Sequence, residues 1–312
     1  VTELTRADVE AAARRVAPFV ATTAVLRSDA LDAWLGVRAW CKAEHLQHAG
    51  AFKYRGATNA VRLLTDEEAA RGVGAHSSGN HAAALALAAR ARGITCHVVM
   101  PRTAPASKRD LVRGFGAHIV ECEPSEVARV AALAELQAAI GLVEIHPFDN
   151  DAVIAGAGTA ALELLEEVRE LDVVVAPVGG GGLLSGTCLA APDQVRILGG
   201  EPLGADDAAR SLAAGSLIPQ TAPNTIADGL LTSLSARTFA IISRRAEAIV
   251  CVSEDEIVEA VAIVETTLGE QVEPSSGVAV AAVRRAAREG RLAAADRVGI
   301  ILTGGNLSAV EH

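Results

Sequence analysis

A chain of 312 residues with 28 lysines and arginines against 38 aspartates and glutamates carries a formal charge of −10. It contains no basic run interleaved with aromatics, which excludes nucleic acid as a partner. Half of the residues are hydrophobic but only 3% are aromatic, so the interior must be aliphatic, as in an α/β fold whose parallel sheets are covered by helices on both faces.

In chain order, residues 1–19 mix acidic side chains with a helical rhythm where an export signal needs a basic stub and an apolar run. Lys53, in GAFKYRGA, falls in the first turn of an expected helix. The turn SSGN then leads into residues 80–92, nearly all alanine and leucine up to Gly93, which reads as a buried helix. Short β-branched runs are expected as strands at residues 94–100, stopping at Pro101, and 117–122. Two more are expected at residues 173–178, before four glycines, and 297–303, before Gly304.

Alanine-rich amphipathic stretches separate these runs, the pattern of repeated βα units on parallel sheets. Apolar runs are strand-sized, far short of the ~20 residues of a membrane helix. The five cysteines (Cys41, Cys96, Cys122, Cys188, Cys251) are scattered without a CxxC pair. Neither a disulfide framework nor a zinc centre is expected, and a reducing cytoplasm fits. No repeat or linker marks a domain boundary.

Four features bear on chemistry. Lys53 lies at a helix start beside Arg55 and apolar neighbours, and the dipole, the guanidinium and desolvation all disfavour its ammonium form. An amine available for imine formation follows; the alternative is a solvated helix lysine. In VVVAPVGGGGLLSG, backbone amides free of side chains at Gly179, Gly180, Gly181 and Gly182 suit a phosphate. One or two glycines would be enough for a tight turn. The string is neither a Walker loop nor GxGxxG, so a monophosphate ester is the expected ligand.

HSSGNHAAA offers hydroxyls, an amide and helix-start N–H groups to a carboxylate. Alone, it reads equally as a helix cap at Ser77, Ser78 or Asn80. Thr303 closes an apolar strand, placing its hydroxyl at the carboxyl edge of a parallel sheet, where ligands of open α/β folds bind. Its alternative is a plain strand-end turn.

In this order the strings resemble the fold-type II pyridoxal-phosphate enzymes of the threonine dehydratase and serine racemase group, from about Ala17 almost to the end of the chain. KAEHLQHAGAFKYRGA resembles the cofactor-lysine segment, SSGNH the carboxylate loop, GGGGL the phosphate loop and TGGN the pyridine-contacting turn. HPFDNDAVIAGAGTAALE, GEPLGADDAARSL, TIADGL and VEPSSGVA are similar to segments between them. The implied fold is α/β and tryptophan synthase β-like: two open, twisted, mainly parallel sheets flanked by helices. The implied division is a large cofactor-binding domain of residues 1–70 and 150–312 and a small mobile domain of residues 71–149, with the active site between them. A homodimer or larger homo-oligomer is implied.

The resemblance also implies roles. Lys53 holds pyridoxal 5'-phosphate as a Schiff base, Phe52 packs beside the ring, and Asn80 bonds the phenolic oxygen. Gly179 to Leu183 hold the phosphate, Gly229 and Glu273 approach the ring, and Thr303 meets the pyridine nitrogen. Ser77, Ser78, Gly79 and His81 line the site of the substrate carboxylate. Glu201, the carbonyl of Ala205 and Asp207 form an all-oxygen set suited to Mg²⁺, Ca²⁺ or Mn²⁺, with an acidic surface turn as the alternative reading.

Two positions depart from the pattern. Ala83 stands where relatives usually carry a glutamine, which puts any substrate or nucleotide-effector contact of that glutamine in doubt, and Thr303 replaces a common serine but keeps the hydroxyl. The chain stops a few residues after TGGNL, so no C-terminal regulatory domain is expected.

The implied activity is dehydration and deamination of a small β-hydroxy amino acid, giving 2-oxobutanoate from threonine or pyruvate from serine. Lys53 takes the α-proton; a neutral Thr303 favours elimination over transamination. Ser78 stands where racemases keep a second acid/base, so serine racemisation is one alternative and 3-hydroxyaspartate dehydration another. A non-catalytic phosphate-ligand protein would leave Lys53 and SSGNH without a purpose.

Overall fold

The computed structural model describes residues 3–306. Ten strands form two sheets: β1 Val25–Leu26, β2 Arg38–Ala43, β3 Val73–His76, β4 Cys96–Pro101, β5 His118–Cys122, β6 Val143–Glu144, β7 Val173–Pro177, β8 Arg196–Pro202, β9 Ala248–Val252 and β10 Arg297–Leu302. The larger sheet has the order β1-β2-β10-β7-β8-β9 and the smaller β5-β4-β3-β6. Only β1 is antiparallel to its neighbour. The expected fold class, two mainly parallel sheets flanked by helices, is therefore the one found.

Helices cover both faces of the larger sheet, and β7 shows why its strands read as continuous apolar runs. Val173 and Val175 pack with the helix Pro274–Arg288, through Val278 and Ala282. Val174 and Ala176 face the opposite way, toward Leu164, Leu184 and Cys188. Alternation along the strand sends successive side chains to opposite cores, so both must be apolar. The smaller sheet packs on the helix Asn80–Arg92, whose Ala82, Leu85 and Ala89 meet Val73, Val98 and Met100.

The expected strand at 94–100 begins two residues later. Gly93 is left-handed and the N–H of Ile94 returns to the carbonyl of Ala89 at 2.9 Å. This ties Ile94 into the helix C-cap before the strand can start. No helix among the described residues is long and apolar enough to cross a membrane.

All four strands of the smaller sheet come from residues 73–144. The helix Lys53–Leu63 bridges the two units. Its Tyr54, Ala57 and Val61 join the core of the smaller sheet, while Gly56 packs on the helix Asp151–Glu167 beside the larger one.

Candidate active site

Parallel strands point their carboxyl ends one way, and β3, β7 and β10 are followed directly by the turns that form a cleft between the two sheets. Lys53, Phe52, Ser77, Ser78, Gly79, Asn80, His81, Gly229, Glu273 and Thr303 all line it, together with Gly179 to Leu183. Glu201, Ala205 and Asp207 do not.

Lys53 opens its helix. The preceding turn is fixed when the N–H of Phe52 donates to the carbonyl of Thr303 at 2.9 Å, which ties the lysine segment to the end of β10. The Lys53 ammonium donates to the carbonyl of Pro147 at 3.0 Å and lies 5.2 Å from the centre of the Phe52 ring. Burial pulls its pKa down to about 8, against the opposing pull of the Glu273 carboxylate. Arg55 takes no part in this shift, contrary to the expectation above. Two residues along a helix turn a side chain about 200° away, and Arg55 is buried on the far face between Glu44 and Glu163.

After β7 the chain turns at Gly181, left-handed at φ +83°, and the helix Gly182–Ala190 starts there. Its first N–H groups have no carbonyl behind them to bond. The other glycines are needed for close approach. A Cβ on Gly180 would lie 2.2 Å from the Phe148 ring, and one on Gly179 would lie 2.9 Å from Leu230 Cα. The wall is therefore bare backbone with unmatched donors, the kind of cradle a phosphate requires.

Opposite, SSGN joins β3 to the helix Asn80–Arg92, and Gly79 occupies the cap position rather than any of the three polar candidates. That leaves Ser78 without a side-chain hydrogen bond among the described residues, while the Ser77 hydroxyl accepts from Gly79 N–H at 3.3 Å. The Asn80 amide donates to both oxygens of Glu273 at 2.9 Å and accepts from Asn306 at 2.9 Å. Burial pushes Glu273 up to about 7, with Asn80 opposing.

His81 donates through Nε2 to the carbonyl of Ile145 at 2.7 Å, and its buried Nδ1 has no partner among the described residues. Burial, then Lys53, hold its pKa down at about 3, so the ring is neutral. Gly229 donates its N–H to Ser275 Oγ at 3.2 Å. The Thr303 hydroxyl is 3.1 Å from that of Ser276. Among the described residues no charged group bonds it.

Glu201 and Asp207 lie together but elsewhere, at the end of β8. Glu201 accepts from Ala208 and Ala209 N–H at 2.9 and 2.8 Å, and Asp207 accepts from Leu234 N–H at 3.0 Å. Both are buried. Burial above all, with Asp207 and Asp206 adding, pushes Glu201 up to about 8. The turn Leu203–Ala205, ending on a buried Ala205, runs between the two. Among the described residues no cluster of three or more His, Cys, Asp or Glu side chains is placed to hold a metal.

Lys108, Asp228, Phe148 and Arg129 are among the cleft residues that the sequence does not single out. Lys108 reaches across to Asp228 at 2.5 Å. Phe148 covers the glycine turn. Arg129, on the helix Glu126–Ile140, lines the cleft with no ion pair among the described residues, and its Nε is buried without a partner. TIADGL and HPFDN contain two of these positions, whereas nothing around Arg129 separates it from a surface arginine.

Residues 16–304 match the family model described as pyridoxal-phosphate dependent enzyme. The chain is 47% identical over 304 residues to the beta-hydroxyaspartate dehydratase of Paracoccus denitrificans (strain Pd 1222), covering 96% of this chain and 95% of that one. It is similar in structure to maize serine racemase, with TM-score 0.95, 41% identity and coverage of 99% and 95%. It is likewise similar to the T.th. threonine deaminase, with TM-score 0.92, 41% identity and coverage of 98% and 99%.

Proposed function

The chain belongs to the pyridoxal-phosphate-dependent enzymes, and on that premise we propose that it is an ammonia-lyase acting on a small β-hydroxy amino acid, with Lys53 as the cofactor-bearing and proton-moving residue. The observation that carries this reading is an amine pulled down to about 8 in a cleft walled by the glycine turn and the SSGN turn. Pyridoxal phosphate, when bound, supplies an electron sink next to the substrate's α-carbon.

The residues do the rest. The bare N–H groups of Gly179 to Leu183 hold a phosphate, and Phe52 packs beside a ring. The N–H groups at Ser78, Gly79 and Asn80 and the Ser77 hydroxyl seat the substrate carboxylate, with His81 and Gly229 shaping the walls. Near pH 8 a large fraction of Lys53 has a free electron pair to accept the α-proton. Thr303 and Ser276 would present neutral hydroxyls to a pyridine nitrogen. With neutral hydroxyls and no carboxylate at that nitrogen, loss of the β-hydroxyl as water would be favoured over other fates. Ammonia and a 2-oxo acid are the products.

Arg129 supports a change in the substrate order. Threonine is the first choice from the sequence, yet a half-buried guanidinium without a counter-charge is costly, and with the α-carboxylate seated at the SSGN turn the side chains of threonine and serine offer it none. The second carboxylate of 3-hydroxyaspartate does. This reading therefore places 3-hydroxyaspartate first, and the similarity to a beta-hydroxyaspartate dehydratase supports it. A panel of 3-hydroxyaspartate, threonine and serine, assayed for ammonia and for oxaloacetate, 2-oxobutanoate or pyruvate, tests it. The kcat/KM for 3-hydroxyaspartate should lead by about tenfold or more. Equal or better use of threonine defeats the ranking, and D-serine formation outrunning elimination defeats the lyase.

The proposal includes a divalent cation, Mg²⁺, Ca²⁺ or Mn²⁺, held by Glu201, Asp207 and the Ala205 carbonyl. What supports it is the chemistry of the donors: two buried carboxylates, both pushed up by burial, have no cationic side chain bonded to them among the described residues, and oxygen ligands suit a hard ion. A homodimer or larger assembly in a reducing cytoplasm completes it, consistent with five free cysteines.

A further inference from the structure

We propose that Arg55 is the positioning residue that sets the rotation of the Lys53 helix and so aims the reactive amine. The inference rests on Lys53 being the cofactor-bearing lysine.

Apart from Arg55, most of the surface this helix packs on Asp151–Glu167 is small residues, with one directional bond among the described residues, from the Asn59 amide to the Ala152 carbonyl at 2.7 Å, well away from Lys53. Gly56 sits so close to the helix Asp151–Glu167 that an added Cβ would meet the carbonyl of Val153 at 2.8 Å, and Gly156 faces back onto the Arg55 carbonyl and Gly56 Cα, also at 2.8 Å. Ala60, one turn after Gly56, is again small and buried. Small side chains let backbones approach but interlock poorly, so they resist separation better than rotation.

Rotation is what Lys53 cannot tolerate. An extended lysine places its amine about 8 Å from the helix axis, so a 10° turn moves it about 1.4 Å. A displacement of about 1 Å is enough to cost ~10²-fold in rate. The helix must be held within a few degrees.

Arg55 supplies directional bonds on the opposite face. Its Nε and one terminal nitrogen donate to the two oxygens of Glu44 at 2.7 and 2.8 Å. Its two terminal nitrogens donate to Glu163 at 2.7 and 2.8 Å. Further bonds at 3.3 Å reach Thr159 Oγ1 and the Ala21 carbonyl. Each carboxylate is anchored in turn. Thr23 donates to Glu44 at 2.6 Å, and Lys42 pairs with Glu163 at 2.8 Å while donating to the Thr23 carbonyl at 2.7 Å. Burial would raise Glu163, but hydrogen bonds from Arg55 and Lys42 hold it low, so it stays charged.

Two cations thus balance two carboxylates across β2, the turn after it, the N-terminal segment and two helices. A planar fork gripped by a carboxylate at two places permits one angle. Buried ion pairs add little net stability but can specify geometry.

Arg55→Lys keeps the charge and loses the fork. The holoenzyme is reduced with borohydride, the labelled lysine is located by peptide mass, and kcat and KM are measured per trapped site. Positioning requires that the rate of trapping of pyridoxal phosphate at residue 53 fall and that kcat per trapped site drop at least tenfold, with KM within about threefold. A purely structural role would lower the melting temperature alone; wild-type trapping rate and kcat per site would overturn the proposal. If Arg55→Lys is recovered only unfolded, Glu163→Gln, which weakens one side of the grip, must show the same split in smaller degree, and a wild-type result overturns it equally. A wild-type label on a lysine other than Lys53 would instead sink the underlying assignment, a distinguishable result.

Discussion

On the cleft wall built by the larger sheet, Thr303, Ser276 and Glu273 are buried and bonded to neighbours, and the glycine turn is packed backbone against Phe148 and Leu230. On the wall built by the smaller sheet, Ser78 and Arg129 line the same cleft without a side-chain hydrogen bond among the described residues. Polar side chains already matched by protein hold a fixed shape; side chains left unmatched are free for a ligand. The first wall suits a resident cofactor and the second suits whichever substrate arrives. On the proposed reading, chemistry and choice are divided between two sheets.

The largest expected effect tests the first wall. Lys53→Ala should lower kcat by about 10³-fold or more while free pyridoxal phosphate still binds, read as a visible absorption band that borohydride no longer fixes to the chain. Retention of more than a few per cent of ammonia release would break the assignment of the fixed wall to chemistry.

The second wall is tested by Arg129→Leu. It should cut kcat/KM for 3-hydroxyaspartate by about 10²-fold and leave threonine within about threefold. A uniform loss across substrates would mean that the wall does not select.

Ser78→Ala sharpens the same wall. D-Serine formation from L-serine should fall by about tenfold or more, with dehydration of the preferred L-substrate falling less, measured by chiral separation alongside the 2-oxo acid assay. Equal losses on both sides would remove Ser78 as an acid/base and leave it a carboxylate contact.

The smallest effect lies off both walls. Chelation should lower the melting temperature by a few degrees and added Mg²⁺ or Ca²⁺ should restore it, because an ion bound only by the folded form stabilises it by mass action. Melting curves indifferent to the ion would leave Glu201 and Asp207 as carboxylates satisfied by the amides of Ala208, Ala209 and Leu234.

These walls were not equally legible in the sequence. The glycine turn, Thr303 and the SSGN helix start announce themselves because a backbone that must approach closely, or begin a helix at a sheet edge, restricts residue type locally. Arg129 and Lys108 reach the cleft only through folding of the smaller sheet, from helices whose exposed arginines and lysines look the same in a string. Arg55 was read as perturbing Lys53 because the two are neighbours in sequence; helical geometry puts them on opposite faces, and only the distant Glu44 and Glu163 reveal where the guanidinium goes.

The central position of β10 has a consequence for how the molecule is made. β10 lies between β2 and β7, pairing Ile300 with Cys41 and with Val175, so one of its neighbours is synthesised some 250 residues earlier. Strand pairs so far apart in sequence close late and slowly, whereas β3 to β6 fall within residues 73–144 and can pair while synthesis continues. Until residues 297–302 emerge, β2 and β7 have no partner between them, Phe52 has no Thr303 carbonyl to bond, and the cofactor wall is open at its middle. Cofactor capture therefore waits for residues 297–304, and until they emerge the nascent chain must keep the facing edges of β2 and β7 from strangers.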